Sequence, residues 1–98
     1  MTRHVIIRPE AAGDIEDAYN WYERARIVFG EEFPAAVREG LDSALAHPEQ
    51  LPVAHRSVRR ALLRRFPYSL LYRVEPAAIL LVAVFHATRD PRVWRARK

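Results

Sequence analysis

Two runs of the sequence gather residue types that could do chemistry. Arg59, Arg60, Arg64 and Arg65 stand just before Phe66-Pro67-Tyr68, and His86, Arg89, Arg92, Trp94, Arg95 and Arg97 crowd the end of the chain. A guanidinium offers a fixed fork of donors that suits bidentate binding of phosphate or carboxylate. Arg beside Trp and Tyr suits a phosphate backbone whose bases stack on the rings. A cluster of Arg can also act on RNA without a metal. It would lower the pKa of a nearby ribose hydroxyl and stabilise charge developing on the phosphate. The same residues would equally make a basic face that grips an acidic protein partner, and the residues alone leave the two readings open.

Other chemistries find little support. With no cysteine, a disulfide scaffold, a Cys-ligated zinc site and thiol chemistry are excluded. His4, His47, His55 and His86 show neither paired helical spacing nor carboxylates at ligand intervals, so no metal site is expected. Ser43, Ser57 and Ser69 lie in no Gly-x-Ser-x-Gly turn, and the scattered Gly13, Gly30 and Gly40 build no phosphate loop. The acidic residues concentrate in helical stretches, where a solvated outer face is the ordinary reading. No cofactor is implied.

Charge is divided along the chain. Residues 1–50 carry 5 basic and 10 acidic side chains, whereas residues 51–98 carry 11 basic and 2 acidic ones. That asymmetry points to an anionic partner for the second half. Fifteen of the sixteen basic residues are Arg; an arginine-rich codon usage would explain the ratio but not its placement. A length of 98 residues predicts a single domain spanning 1–98, with enough chain for one modest core. The longest uncharged apolar stretch, Pro76 to Phe85, is too short to span a bilayer, and the N-terminus shows no secretory apolar region. A soluble, cytoplasmic domain is the expectation.

The elements that must position these residues follow from spacing. Val5-Ile6-Ile7 reads as a strand stopped by Arg8-Pro9. Pro9 suits a first helical turn, with Glu10, Asp14, Glu16 and Asp17 near the positive helix end. Ala11, Ile15, Ala18, Tyr19, Tyr22 and Ala25 then recur at helical spacing until Gly30. A second helix carries Phe33, Val37, Leu41, Ala44 and Leu45 on one face and ends at His47-Pro48. Residues 48–57 read as a loop. Three extended runs follow: 58–65, with Arg60 and Arg64 on one face and Arg59 and Arg65 on the other; 68–75; and 79–85, apolar on both faces and therefore the most buried. The Arg-rich run has the character of a solvent-facing or edge strand. Asp90-Pro91 reads as a cap opening a short terminal helix through Trp94. The fold class expected is α+β: an N-terminal strand, a two-helix hairpin on a mostly antiparallel sheet, and a C-terminal three-strand meander with a short basic tail.

Pro9-Glu10-Ala11-Ala12-Gly13-Asp14-Ile15, the strand Arg64 to Val74 with its Phe66-Pro67-Tyr68, and Phe85-His86-Ala87-Thr88-Arg89-Asp90-Pro91 with Trp94 resemble the RelE/ParE toxin superfamily of bacterial type II toxin–antitoxin systems. The resemblance covers nearly the whole chain. It implies one of two activities. In the RelE-like ribosome-dependent nucleases, messenger RNA is cut by basic strand residues, an Arg after the last long strand and a C-terminal aromatic. Carried over, these roles fall on Arg60, Arg64, Arg89 and Trp94. That pattern also places an Arg directly after the strand Tyr, where Ser69 stands, and a Lys near Leu62. The ParE-like branch lacks the nuclease set, poisons DNA gyrase and is matched better by the Arg-Asp-Pro-x-x-Trp ending. For that branch the expected target-binding residues are Arg89, Arg92, Trp94, Arg95 and Arg97, on an exposed tail. A third reading is a non-toxic antitoxin-binding module.

The resemblance also implies a cognate antitoxin whose amphipathic segment wraps the toxin in a hetero-oligomer. Tyr19, Arg65, Leu70, Tyr72 and Arg73 are the contacts expected from it, while Tyr22 is expected in the core.

Overall fold

A computed structural model describes residues 3–25 and 32–97. The order is β1 (His4–Ile7), α1 (Pro9–Arg24), α2 (Glu32–Ala46), β2 (Val53–His55), β3 (Val58–Leu62), β4 (Tyr68–Val74), β5 (Ala78–His86) and α3 (Arg92–Arg95). The strands form one sheet in the order β1-β5-β4-β3-β2. β1 runs parallel to β5, and the other neighbours are antiparallel. This is the α+β arrangement expected. Gly30, the expected break between the helices, lies outside the described residues.

Both helices pack on one face of the sheet. α1 contributes Ala11, Ala18 and Tyr22, and α2 contributes Phe33, Ala36, Val37 and Ala44, to a core completed by Leu70, Tyr72, Ile79, Leu81 and Val84. At one end of this layer Tyr22, Phe33 and Phe66 meet edge to face or tilted, with ring centroids 5.2–5.7 Å apart. Such pairs add to what their burial alone contributes. β5 is buried along almost its whole length, as its unbroken apolar run predicts.

Two readings change. The stretch expected as a loop contains β2, which pairs with β3, so the antiparallel part is a four-strand meander and β3 is not the sheet edge. β3 also ends at Leu62, so the alternation expected through Arg65 stops early. Leu63 and Phe66 fold into the helix-side core, and Arg65 adopts a left-handed backbone at φ 71. The turn delivers Arg64 and Arg65 to α2, where they pair with Glu39 at 3.4 Å and Glu32 at 3.8 Å.

The opposite face carries a smaller core of Leu71, Ala83, Phe85 and Trp94, with Ala54 and Val58 packed against it. The chain end folds back to insert Trp94 there. Among the described residues no helix is long and apolar enough to cross a membrane.

Candidate functional site

The face opposite the helices is built by strand alternation. Ala61, Leu70 and Val84 point into the helix-side core, so their neighbours Arg60, Ser69, Leu71 and Phe85 face the other way. Cross-strand pairing sets them in two rows, Arg60 beside Leu71 beside Ala83 and Leu62 beside Ser69 beside Phe85. The returning tail walls this surface. The result is a cleft of about 200 Å³ lined by Arg60, Ser69, Leu71, Phe85, His86, Arg89, Pro91, Trp94 and Arg95, among others.

Its cations are arranged around buried rings. The Arg89 guanidinium carbon lies 4.3 Å from the centre of the Phe85 ring, and that of Arg95 lies 5.7 Å from the Trp94 ring. His86 is fixed by the next turn: its Nδ1 accepts from the Thr88 backbone N–H at 3.0 Å, which leaves Nε2 to carry the proton of the neutral ring. His86 also stands edge-on to Tyr68 at 5.1 Å. Burial pushes the Tyr68 hydroxyl above its usual value, with Tyr22 adding to the rise and Arg89 opposing it. Arg89 borders a second, wider groove of about 460 Å³ with Trp21, Tyr22, Tyr68 and Thr88. Trp21 is an exposed aromatic that helical spacing gave no reason to single out.

The residues expected to bind a target and those expected for the nuclease reading both divide. Arg60, Arg89, Trp94 and Arg95 come together at the cleft. Arg64 does not, being held at α2. Arg92 is exposed and tied to Asp90 at 2.7 Å, and its side chain together with its backbone N–H holds the Asp90 carboxyl below the usual carboxylate value. Trp94 is 5% exposed, because an indole in a basic tail is stabilised by the apolar sheet face rather than by water.

Arg97 departs furthest from the expectation of an exposed tail. Its guanidinium donates to both oxygens of Asp14, at 2.6 and 3.1 Å, and to the Val82 carbonyl at 3.2 Å. Asp14, itself nearly buried, also accepts from the Val84 N–H at 3.0 Å. The reason is topological. β1 stops at Ile7, opposite Leu81, and leaves the rest of the β5 edge without a partner strand. A register shift beside Val82 bulges the strand there. Asp14 and Arg97 then satisfy the N–H and carbonyl that β1 does not reach, since buried backbone groups need partners. The bond to Asp14 raises the Arg97 pKa.

Of the antitoxin contacts expected, Leu70 and Tyr72 are fully buried and offer a partner no surface, since their side chains form the centre of the helix-side core. The Tyr72 hydroxyl donates to the Pro48 carbonyl at 3.0 Å. Tyr19 is half-buried on α1, Arg65 is exposed beside Glu32, and Arg73 is half-buried 4.0 Å from Glu75. Among the described residues no group of three His, Cys, Asp or Glu could hold a metal ion.

Residues 5–91 match the ParE toxin of the type II toxin–antitoxin system parDE, and the chain belongs to that family. The fold is similar to a chromosomal ParDE toxin–antitoxin system from P. aeruginosa, with a TM-score of 0.62 and 21% identity over 88% of this chain and 96% of that one. It is similar as well to a chain of the toxin–antitoxin complex RelBE2 from Mycobacterium tuberculosis, with a TM-score of 0.61 and 18% identity over 88% of this chain and 99% of that one. No curated protein matches the chain.

Proposed function

We propose that this toxin stops growth by holding a protein target, DNA gyrase, and does not cut messenger RNA. One observation carries the reading. Leu62 and Ser69, which stand where the nuclease pattern has Lys and Arg, are direct cross-strand partners. Both missing charges would therefore fall at one spot beside Phe85. The nearest candidates to replace them are elsewhere: Arg64 is paired with Glu39 of α2, and Arg73 lies four residues further along β4 beside Glu75. Losing two positive groups from a site that works by positive charge removes roughly 3 kcal/mol of transition-state stabilisation for each.

The partner that restrains the toxin is an antitoxin whose amphipathic segment folds on binding, for which Tyr19, Arg65 and Arg73 remain as surface contacts. Support for a partner comes from the two similar folds, both from toxin–antitoxin systems.

The test is incorporation of labelled thymidine and labelled methionine in the minutes after this chain alone is induced in a bacterium. Thymidine incorporation falls first under this reading, and the purified chain inhibits gyrase supercoiling. An early fall in methionine would favour the nuclease reading, whose one supporting observation is that Arg60 and Arg89 share a cleft.

A further inference from the structure

We propose that the cleft between β3, β4, β5 and the returning tail seats the carboxylates of an acidic segment of the inhibited protein. This rests on the reading of the chain as a toxin that holds a protein target, and it names the chemistry of that grip.

The arginines of this chain are unevenly partnered. Seven of the described arginines form ion pairs with carboxylates of this chain. An eighth, Arg59, donates to the Leu51 carbonyl at 2.8 Å. The other six described arginines form no ion pair; Arg24, Arg38 and Arg56 lie elsewhere on the surface, whereas Arg60, Arg89 and Arg95 converge on one concave surface. No Asp or Glu lines it. Like charges held together at a concavity raise the local potential and draw in an anion.

The rings of the cleft favour a polypeptide over a nucleic acid. Binding a single strand needs aromatic faces open to the bases. Here Phe85 and Trp94 are 4% and 5% exposed, and Arg89 and Arg95 already lie over them. Neither of these two rings keeps a face for stacking, whereas the guanidiniums keep donors for carboxylates. A cleft of about 200 Å³ has room for acidic side chains.

The chain has only two tryptophans, one at the cleft and one on the far side of Arg89. Their indole N–H signals in a nitrogen–proton correlation spectrum therefore report the site directly. The folded chain is titrated with a peptide of Glu-Ala repeats and, separately, with an oligouridylate of equal charge. The Trp94 signal is expected to move saturably with the peptide while the Trp21 signal stays in place. Arg60→Gln and Arg89→Gln should each weaken the peptide about fivefold or more, and Arg38→Gln and Arg56→Gln less than about twofold.

Equal weakening by all four variants, or no movement of Trp94, would overturn the proposal. So would tighter binding of the oligouridylate that is lost in the cleft variants. In cells, soluble Arg60→Gln/Arg89→Gln chain should no longer arrest growth, and persistent arrest would detach the cleft from the target. The two readings separate cleanly. Peptide binding at the cleft without a fall in thymidine incorporation would remove the toxic target alone; a fall in thymidine without peptide binding would remove only this inference.

Discussion

Arg97→Met should destabilise the fold far more than a change at one of the exposed arginines beside it, Arg92 or Arg95. The substitution removes both bonds to Asp14 and the bond to the Val82 carbonyl, leaving a carboxylate 8% exposed with only the Val84 N–H as donor. Removing one member of a buried pair costs about 3–5 kcal/mol. The Arg97 side chain keeps 16% exposure, so water can reach the vacated site, and about 3 kcal/mol is expected. For a domain of this size that lowers Tm by about 12 °C or more. Asp14→Asn, which keeps an acceptor for Val84, should lose about 2 kcal/mol. The double variant Asp14→Asn/Arg97→Met should lose clearly less than the two single changes together, because an uncompensated charge is no longer buried. Urea unfolding followed by circular dichroism gives the four stabilities, and the coupling should survive about 1 M salt, which screens exposed pairs. Single changes within about 0.5 kcal/mol of the parent, or strict additivity, would refute the argument.

Three further outcomes follow from the packing. A Cβ at Gly40 would stand 2.7 Å from Leu70 Cδ1 and 3.1 Å from Leu63 Cδ2, while one at Gly13 meets nothing within 4 Å. Gly40→Ala should therefore lose about 1–3 kcal/mol in the same unfolding assay, and Gly13→Ala should gain up to about 1. Burial raises the hydroxyl pKa of Tyr22, Tyr68 and Tyr72 above 10.0, with Arg59 opposing the rise at Tyr72. The folded chain then holds protons that the unfolded chain releases, so stability is full below about pH 10 and falls as pH climbs beyond it. Tyrosinate absorbance should show these groups ionising as the protein unfolds, whereas free titration without unfolding would contradict their burial. Tyr72→Phe removes the bond to the Pro48 carbonyl and should lower stability by about 0.5–1.5 kcal/mol, measured by urea unfolding.

What sequence reasoning could reach was set by the range of each signal. Helix faces and the apolar run of β5 are written in local spacing, so Ala11, Ala18, Tyr22 and Phe33 were legible as core. β2 was not, because three residues between Pro52 and a tight turn show no period. Of the motif residues on which the family resemblance rested, the fold brings Ser69, Leu71, Phe85, His86, Arg89 and Trp94 to one face, while Pro9 to Ile15 lie on α1 and Arg64 turns away to α2. Asp14 had left a trace. It stands three residues after Ala11 and four before Ala18, inside the buried stripe, and a carboxylate in that position requires a partner. Nothing local names that partner, since Arg97 is separated from it by 83 positions.

Arg97 is therefore better understood as positioning the tail than as touching a target. Two anchors hold the chain end against the sheet, the Trp94 indole in the apolar patch and the Arg97–Asp14 pair at the β5 edge. Between and before them lie Arg89, Arg92 and Arg95, all exposed. The sheet supplies one cation of the cleft, Arg60, and the tail supplies the other two. Convergence of the three thus depends on a fold-back that strands β3 to β5 alone do not enforce. The position of β1 closes the argument: because it ends at Ile7, the β5 edge stays open to Asp14 and Arg97, and the short first strand becomes a condition for the cleft on the opposite face.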